Sequence, residues 1–253
     1  MSLINLRKKN KKQRHYKKKY VTLVVVMFLL VVITIYFLTL TDFFNIEEIQ
    51  VIDNNRITND EIILKSGLNS TDNIFMFNKK EVLQSIEKIP YIQEASLIRI
   101  FPDKVKIYIK ERQALCIFYY QNKYVYIDSD EIILEYIDDL NEINIPIITL
   151  TSDSVGTIII GNKIQFEPDY VKNNLFQILI TFYDNDLLKY LSEINITDEN
   201  LLYVYTKGGS IIKIKDSDSV IEKLEFLITY LQEKDERMII DLTHDGNPTY
   251  IPR

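Results

Sequence analysis

The chain opens on a charged stretch, passes through a run with no polar side, and then settles into short segments of alternating or helical periodicity. From Tyr20 to Thr41 no charged residue occurs, and 21–40 read VTLVVVMFLLVVITIYFLTL. A core helix of this length keeps a polar face, so the run predicts a membrane span. As a helix it would reach about 33 Å, enough for a hydrocarbon core of about 30 Å. A cleaved signal sequence is the competing reading. Such signals have apolar regions of about 7–15 residues that end in small side chains. Leu40-Thr41-Asp42-Phe43-Phe44 makes a poor cleavage site, so a retained anchor is expected.

Beyond the span the periodicity predicts a compact β-α-α-β-β unit. A strand is expected over 46–53, with Ile49 and Val51 on one face. Thr58 with Glu61 forms a capping box that starts a helix, and Gly67 stops it. Asn78 with Glu81 starts a second helix whose stripe is Val82, Ile86 and Ile89, with Pro90 ending it. Strands over 94–101 and 104–111 follow, joined by a Pro102-Asp103 turn.

The remainder reads as strand-dominated. A meander is expected over 115–120, 124–128 and 132–136, then a looser stretch carrying Pro146. Pro168 sits near the start of a helix with the stripe Val171, Leu175, Ile178 and Phe182. Strands over 193–197, 201–206 and 210–215 precede a second helix from about Ser219, carrying Val220, Leu224, Leu227 and Leu231. A strand over 238–242 and a tail close the chain. The tail can turn at Asp245-Gly246-Asn247 and lay 248–252 as an edge strand with proline at both ends, or simply fray.

Charge splits the chain in two. Residues 1–19 carry Arg7, Lys8, Lys9, Lys11, Lys12, Arg14, Lys17, Lys18 and Lys19 and no acid, whereas the whole chain has a net charge of −6. Basic residues beside a span stay in the cytoplasm, which places the N-terminus inside and the C-terminus outside. Anionic lipid headgroups are the tail's expected contact, ahead of nucleic acid.

Catalytic chemistry finds little to work with. Cys116 is the single cysteine, so no intrachain disulfide can form. The two histidines are His15 and His244, and His244 reads as a solvated turn residue, not a base. Asp128-Ser129-Asp130 resembles the start of a calcium loop, but Ile133 stands where such a loop needs glycine. Asp216 and Asp218 read as helix caps and Gly208-Gly209 as a hairpin turn. No enzyme activity, cofactor or metal is expected.

The run 88–116, KIPYIQEASLIRIFPDKVKIYIKERQALC, resembles the second half of an FtsQ/DivIB-type POTRA domain. The matching residues are Pro90-Tyr91, Arg99 with Pro102, and Glu111-Arg112. Val51 with Asp53-Asn54-Asn55 and Asn73-Ile74-Phe75 match upstream. Tyr126-Ile127-Asp128, Ile145-Pro146-Ile147, Lys223-Leu224 and Ile240-Asp241-Leu242 match downstream. Asn54-Asn55 departs from a usual Gly-Asn, and Ser129-Asp130-Glu131 lacks a common glycine.

The resemblance implies an α+β fold: an N-terminal transmembrane helix, a POTRA domain, and a mostly antiparallel β domain with two helices. The expected boundaries are 1–19 for a cytoplasmic tail, 20–41 for the span, and 43–112 for the POTRA domain. The β domain would take 113–242, and 243–253 a turn and edge strand. The family resemblance further implies a non-enzymatic component of the bacterial divisome in the cell membrane, concentrated at the septum. It would bind bitopic division proteins of the FtsL and FtsB/DivIC type outside the membrane by β-strand addition at the last strands. Thr249, Tyr250 and Ile251 would then carry the specific contacts, and Asp241 and Leu242 the supporting strand. The rival readings are an extracytoplasmic sensor, another POTRA-bearing envelope assembly protein, or an envelope hydrolase.

Overall fold

The computed structural model describes residues 3–138, 140, 144–150, 155–197, 199–234 and 237–253. Helix α1, Leu3–Leu40, contains the apolar run. Its stretch Lys19–Thr39 is long and apolar enough to cross a membrane, and none of it is buried in the protein. Three hydroxyls near its end are satisfied within the helix: Thr34, Thr39 and Thr41 donate to the carbonyls of Leu30, Ile35 and Phe37 at 2.6–2.8 Å. That pattern lets threonine sit in an apolar environment without an unpaired polar group. The backbone of Arg7, Lys8, Lys9, Lys11, Lys12, Arg14, Lys17 and Lys18 belongs to α1, while their side chains lie outside the described residues.

The chain divides into two compact units, Met1–Ile86 with Ala95–Ile109, and Glu87–Glu94 with Lys110–Arg253. In chain order the first stretch gives β1 (Glu48–Ile52), α2 (Asn59–Ser66), α3 (Lys79–Ile86), β2 (Ile92–Ile100) and β3 (Lys104–Glu111). They form a three-stranded sheet in the order β1-β3-β2, with β1 parallel to β3 in the register Glu48↔Lys104. The expected caps are present. Thr58 Oγ1 accepts from the Glu61 amide at 3.3 Å, and Gly67 ends α2 at φ +70°. Asn78 Oδ1 accepts from the Lys80 amide, and its Nδ2 donates to Glu81 at 2.8 Å. Ile46, Ile62, Ile74, Ile86, Leu97, Val105 and Ile107 are almost wholly buried there. One expectation fails: α3 stops at Ile86, and Ile89 is buried outside the helix. A residue just before proline is pushed away from helical ψ, which ends the helix a turn before Pro90.

The second unit continues with β4 (Ala114–Tyr120), β5 (Lys123–Asp128), β6 (Ile133–Ile137), β7 (Ile147–Leu150), α4 (Asp169–Asp184), β8 (Leu191–Ile196), β9 (Leu202–Thr206) and β10 (Ile211–Ile214). It ends with α5 (Ser217–Glu222), α6 (Leu224–Thr229), β11 (Met238–Asp241) and β12 (Thr249–Pro252). The strands make one nine-stranded sheet in the order β12-β11-β10-β9-β8-β7-β4-β5-β6. Most pairings are antiparallel, but β4·β7, β7·β8 and β10·β11 are parallel. The β4–β5 hairpin turns on Gln121 and Asn122, both at positive φ, as a two-residue hairpin requires.

Two features differ from the sequence expectation. The looser stretch after Pro146 contains β7, an interior strand, with the Pro146 carbonyl accepting from Ile117 N at 3.0 Å. The last helix begins at Ser217, not Ser219, because Asp216 caps it by accepting from the Ser219 amide. That helix also breaks at Lys223, whose nearly buried amine donates to the His244 carbonyl at 3.0 Å.

One face of the sheet builds the core. Phe118, Val125, Ile148, Ile194, Val204, Ile212 and Ile240 meet the α4 stripe of Val171, Leu175, Ile178 and Phe182, with Val220 and Leu227 beside them. Phe182→Ala should therefore lower stability by about 3–5 kcal/mol, whereas the half-exposed Tyr183→Ala should cost far less. Denaturant unfolding of the detergent-solubilised chain checks this. Cys116 lies in the same core, and burial pushes its thiol pKa strongly up. It should resist alkylation at neutral pH until denaturant is added.

Candidate partner-binding edge

An open sheet has two ends, and here they differ. Beside β6, chain from the 155–166 segment covers the outer side: Ile133 N donates to Asn162 O at 2.9 Å and Gly161 N to Ile133 O at 2.8 Å. Ile164 N donates to Glu131 O, and Tyr136 Oη to Ile158 O. At the opposite end, β12 pairs antiparallel with β11 in the register Ile239↔Ile251 and Ile240↔Tyr250. Among the described residues no strand lies on its outer side.

The register determines which backbone groups remain on offer. Arg253 N donates to Arg237 O at 2.9 Å, so that position of the ladder is a hydrogen-bonded one. Antiparallel ladders alternate, so Ile251 and Thr249 also aim their backbone groups at β11. Tyr250, Pro248 and Pro252 therefore aim theirs outward. Proline has no N–H, which leaves Tyr250 as the one outward donor of this segment, among three outward carbonyls. The side chains alternate as well. Tyr250 shares the face of buried Ile240, and Thr249 and Ile251 share the other face with Asp241 and Ile239. Thr249, Tyr250 and Ile251 are all exposed.

The turn before β12 is held at several points. Asp241 Oδ1 accepts from Thr243 N at 2.9 Å and Thr243 Oγ1 at 2.6 Å, and Leu242 N donates to Lys213 O at 2.9 Å. Burial acts to raise the Asp241 pKa, but the Thr243 hydrogen bonds and the nearby His244 and Lys213 hold it below the usual carboxylate value. Gly246 takes φ +98°, and Arg253 Nη1 reaches back to Gly209 O at 2.9 Å. His244 is exposed, with its carbonyl held by Lys223.

A second cluster gathers other sequence-selected residues. Arg112 N donates to Tyr91 O at 2.7 Å, and Tyr91 Oη to Glu135 Oε1 at 2.8 Å. Pro90 packs beside Gly161, and Glu111 closes β3. Arg112 Nη1 donates to Asp128 Oδ2 at 2.6 Å and to Asp130 Oδ2 at 2.7 Å. Asp128 Oδ1 accepts from the Asp130 and Ile132 amides, so this carboxylate organises the β5–β6 turn. Glu131 sits at φ +68° in that turn, a backbone conformation that favours glycine.

Burial works against the charged Arg112, yet its two carboxylate partners raise its pKa above the ordinary value. The Arg112 hydrogen bond holds Asp130 below the ordinary carboxylate value. Asp128 and Asp130 are thus counterions of an arginine. Among the described residues no three His, Cys, Asp or Glu side chains gather as a metal would need. Arg99 and Pro102 are elsewhere: Arg99 Nη2 donates to Phe77 O at 2.9 Å with its guanidinium 4.2 Å from the Phe77 ring, and Pro102 lies in the β2–β3 turn.

Residues 44–112 match the family model described as a POTRA domain, FtsQ-type. A cell division protein DivIB of Clostridium botulinum (strain Hall) is 28% identical over 215 residues, covering 82% of each chain. One from Clostridium tetani is 29% identical over 212 residues, covering 81% of this chain and 78% of its own. Over most of its length the chain is similar to DivIB-type cell division proteins, and its 44–112 segment is an FtsQ-type POTRA domain. A cell division protein FtsQ of Syntrophotalea carbinolica is 32% identical over 112 residues, 44% of this chain and 39% of the relative. Among solved structures, the major extracytoplasmic domain of DivIB from Geobacillus stearothermophilus (trans isomer) aligns at 13% identity and a TM-score of 0.33, covering 49% of this chain and 97% of that one.

Arg112 and Asp128 stand out in the sequence by separate motifs, but nothing there says that they pair. Arg112→Met should cost about 3–5 kcal/mol, because it strands the Asp128 carboxylate at 3% side-chain exposure. Adding Asp128→Asn should recover part of that loss. Asp130→Asn should cost under about 1 kcal/mol, since its side chain is half exposed. Asp130 titrates below its unfolded value, so its contribution is present above the ordinary carboxylate range and fades as pH falls through the depressed value. Urea unfolding of the wild type and of Asp130→Asn from neutral to acid pH measures this difference.

Proposed function

We propose that the chain is a non-enzymatic scaffold of bacterial cell division, held in the cell membrane by α1. Its similarity to the cell division proteins DivIB and FtsQ supports the division role. The basic residues in the first part of α1, ahead of its apolar stretch, support an N-terminus inside and the folded units outside, with septal placement following from the division role. In this reading 43–112 act as the POTRA domain, 113–242 as the β domain, and 243–253 as a turn with its docking strand.

The partners we propose are bitopic division proteins of the FtsL and FtsB/DivIC type, captured by strand addition on β12. The observation that carries this is the asymmetry of the two sheet ends: among the described residues β6 is covered by its own chain and β12 is not. An uncovered edge strand is a template for another strand. Its prolines narrow the choice of register, because an incoming carbonyl finds a donor at Tyr250 alone. Tyr250 would contact the incoming strand on the face of the core, and Thr249 and Ile251 on the opposite face.

Depletion of the protein should give long cells without septa, with the FtsL- and DivIC-type proteins lost from mid-cell. Normal division after depletion would sink the reading. Tyr250→Pro removes the outward donor without touching the bonds to β11, and should abolish co-purification of those partners. Tyr250→Ala keeps the donor and should weaken capture less. Equal capture by Tyr250→Pro and wild type would move the site elsewhere.

A further inference from the structure

Five phenylalanine rings form a continuous series inside the first unit. Phe37, in the last turns of the apolar run, lies 6.1 Å from Phe43 and 6.0 Å from Phe44, centroid to centroid. Phe43 and Phe44 are 4.9 Å apart, Phe44 and Phe75 5.1 Å, and Phe75 stacks on Phe101 at 5.0 Å. Three separate stretches contribute: the exit of α1, the segment between α2 and α3, and the β2–β3 turn. Most of this apolar surface is left uncovered by the protein, with Phe43 60% exposed, Phe75 42%, Met76 68% and Phe101 56%.

The series cannot swing away from α1 on a loose linker. Asn73 Nδ2 donates to Leu38 O at 2.8 Å, bonding the inter-helix segment to the last turn of α1. Ile46 N donates to Asp72 O at 2.9 Å and Ile74 N to Phe44 O at 2.8 Å. Glu47 N donates to Asp103 O at 2.8 Å, tying the same exit to the β2–β3 turn. The rings are thus held at the end of a helix whose apolar stretch runs to Thr39.

We propose that Phe43, Phe75, Met76 and Phe101 form an aromatic collar that seats the first unit in the interfacial layer of the lipid bilayer, in the leaflet from which α1 emerges. The inference rests on α1 being a membrane span. Continuity identifies the occupant: an exposed apolar patch that touches a membrane span through Phe37 adjoins lipid before anything else. Aromatic side chains are favoured at that depth, and burying apolar area there is what holds an interfacial element on a membrane. Asp42, Asp72 and Asp103 flank the patch in sequence, while the nearby cations are engaged, Arg99 on Phe77 and Lys104 on Glu48, so headgroup charge is not what attracts it. Seating should be indifferent to anionic lipid and to salt.

The chain has no tryptophan, so single introduced tryptophans report without background. The full chain is reconstituted in phosphatidylcholine vesicles with acyl chains brominated near the headgroup, as Phe75→Trp, Phe101→Trp, Phe28→Trp within the span, and Leu64→Trp at an exposed site on α2. Phe75→Trp and Phe101→Trp should be quenched several-fold more than Leu64→Trp, unchanged by added phosphatidylglycerol or salt. Quenching no greater than at Leu64→Trp, with Phe28→Trp quenched by deep bromines, would overturn the collar and leave the span standing. Blue-shifted but unquenched emission would show that a second copy covers the patch, and would equally overturn it. Failure of Phe28→Trp to quench would remove the span, and the collar with it.

Discussion

A β-sheet satisfies its backbone by neighbours, and the nine-stranded sheet here runs out of neighbours at β12. The fold deals with its two ends by different means. At β6 the chain returns and donates and accepts across the edge. At β12, among the described residues, the protection is chemical: prolines at 248 and 252 remove two donors that would face outward. An unprotected edge pairs with whatever extended chain it meets, while a covered edge pairs with nothing. Two prolines around one donor lie between these extremes, leaving the edge available but particular about register. The features behind β12, from the Thr243–Asp241 bonds to the Lys223–His244 bond, serve to hold that short strand in register on β11.

This explains how far the sequence alone could go. Local rules write themselves locally, so Thr58 with Glu61 and Gly67, or the alternation of Lys104–Glu111, were legible with little error. The terminal strand was legible for the same reason, since a glycine turn and two flanking prolines are local signals. β7 was not. It has four residues and shows no clear alternation, because an interior strand with parallel neighbours has little need of a polar face. The end of α3 was misjudged because an apolar stripe continued to Ile89, and the conformational limit before Pro90 outweighed the stripe.

Pairings across the fold were the least legible. Arg112 and Asp128 each carried a family signal, yet nothing in their spacing says that one neutralises the other. Ile133 already spoke against a calcium loop at 128 and 130, but the sequence could not show that both carboxylates face an arginine. The phenylalanine series was invisible for a related reason. Its members come from three segments, and each taken singly is an ordinary exposed or half-buried aromatic residue.

The acidic and apolar features at the exit of α1 also bear on how a membrane helix transmits position to a folded unit. A flexible linker would let that unit sample many heights, and the span would then fix only its presence at the membrane. Here the segment between α1 and β1 spends its backbone groups on the 72–74 strip and on Asp103, and Asn73 reaches Leu38 within the helix itself. Moving the unit relative to α1 would break these bonds together, so the span sets height and orientation as well as address.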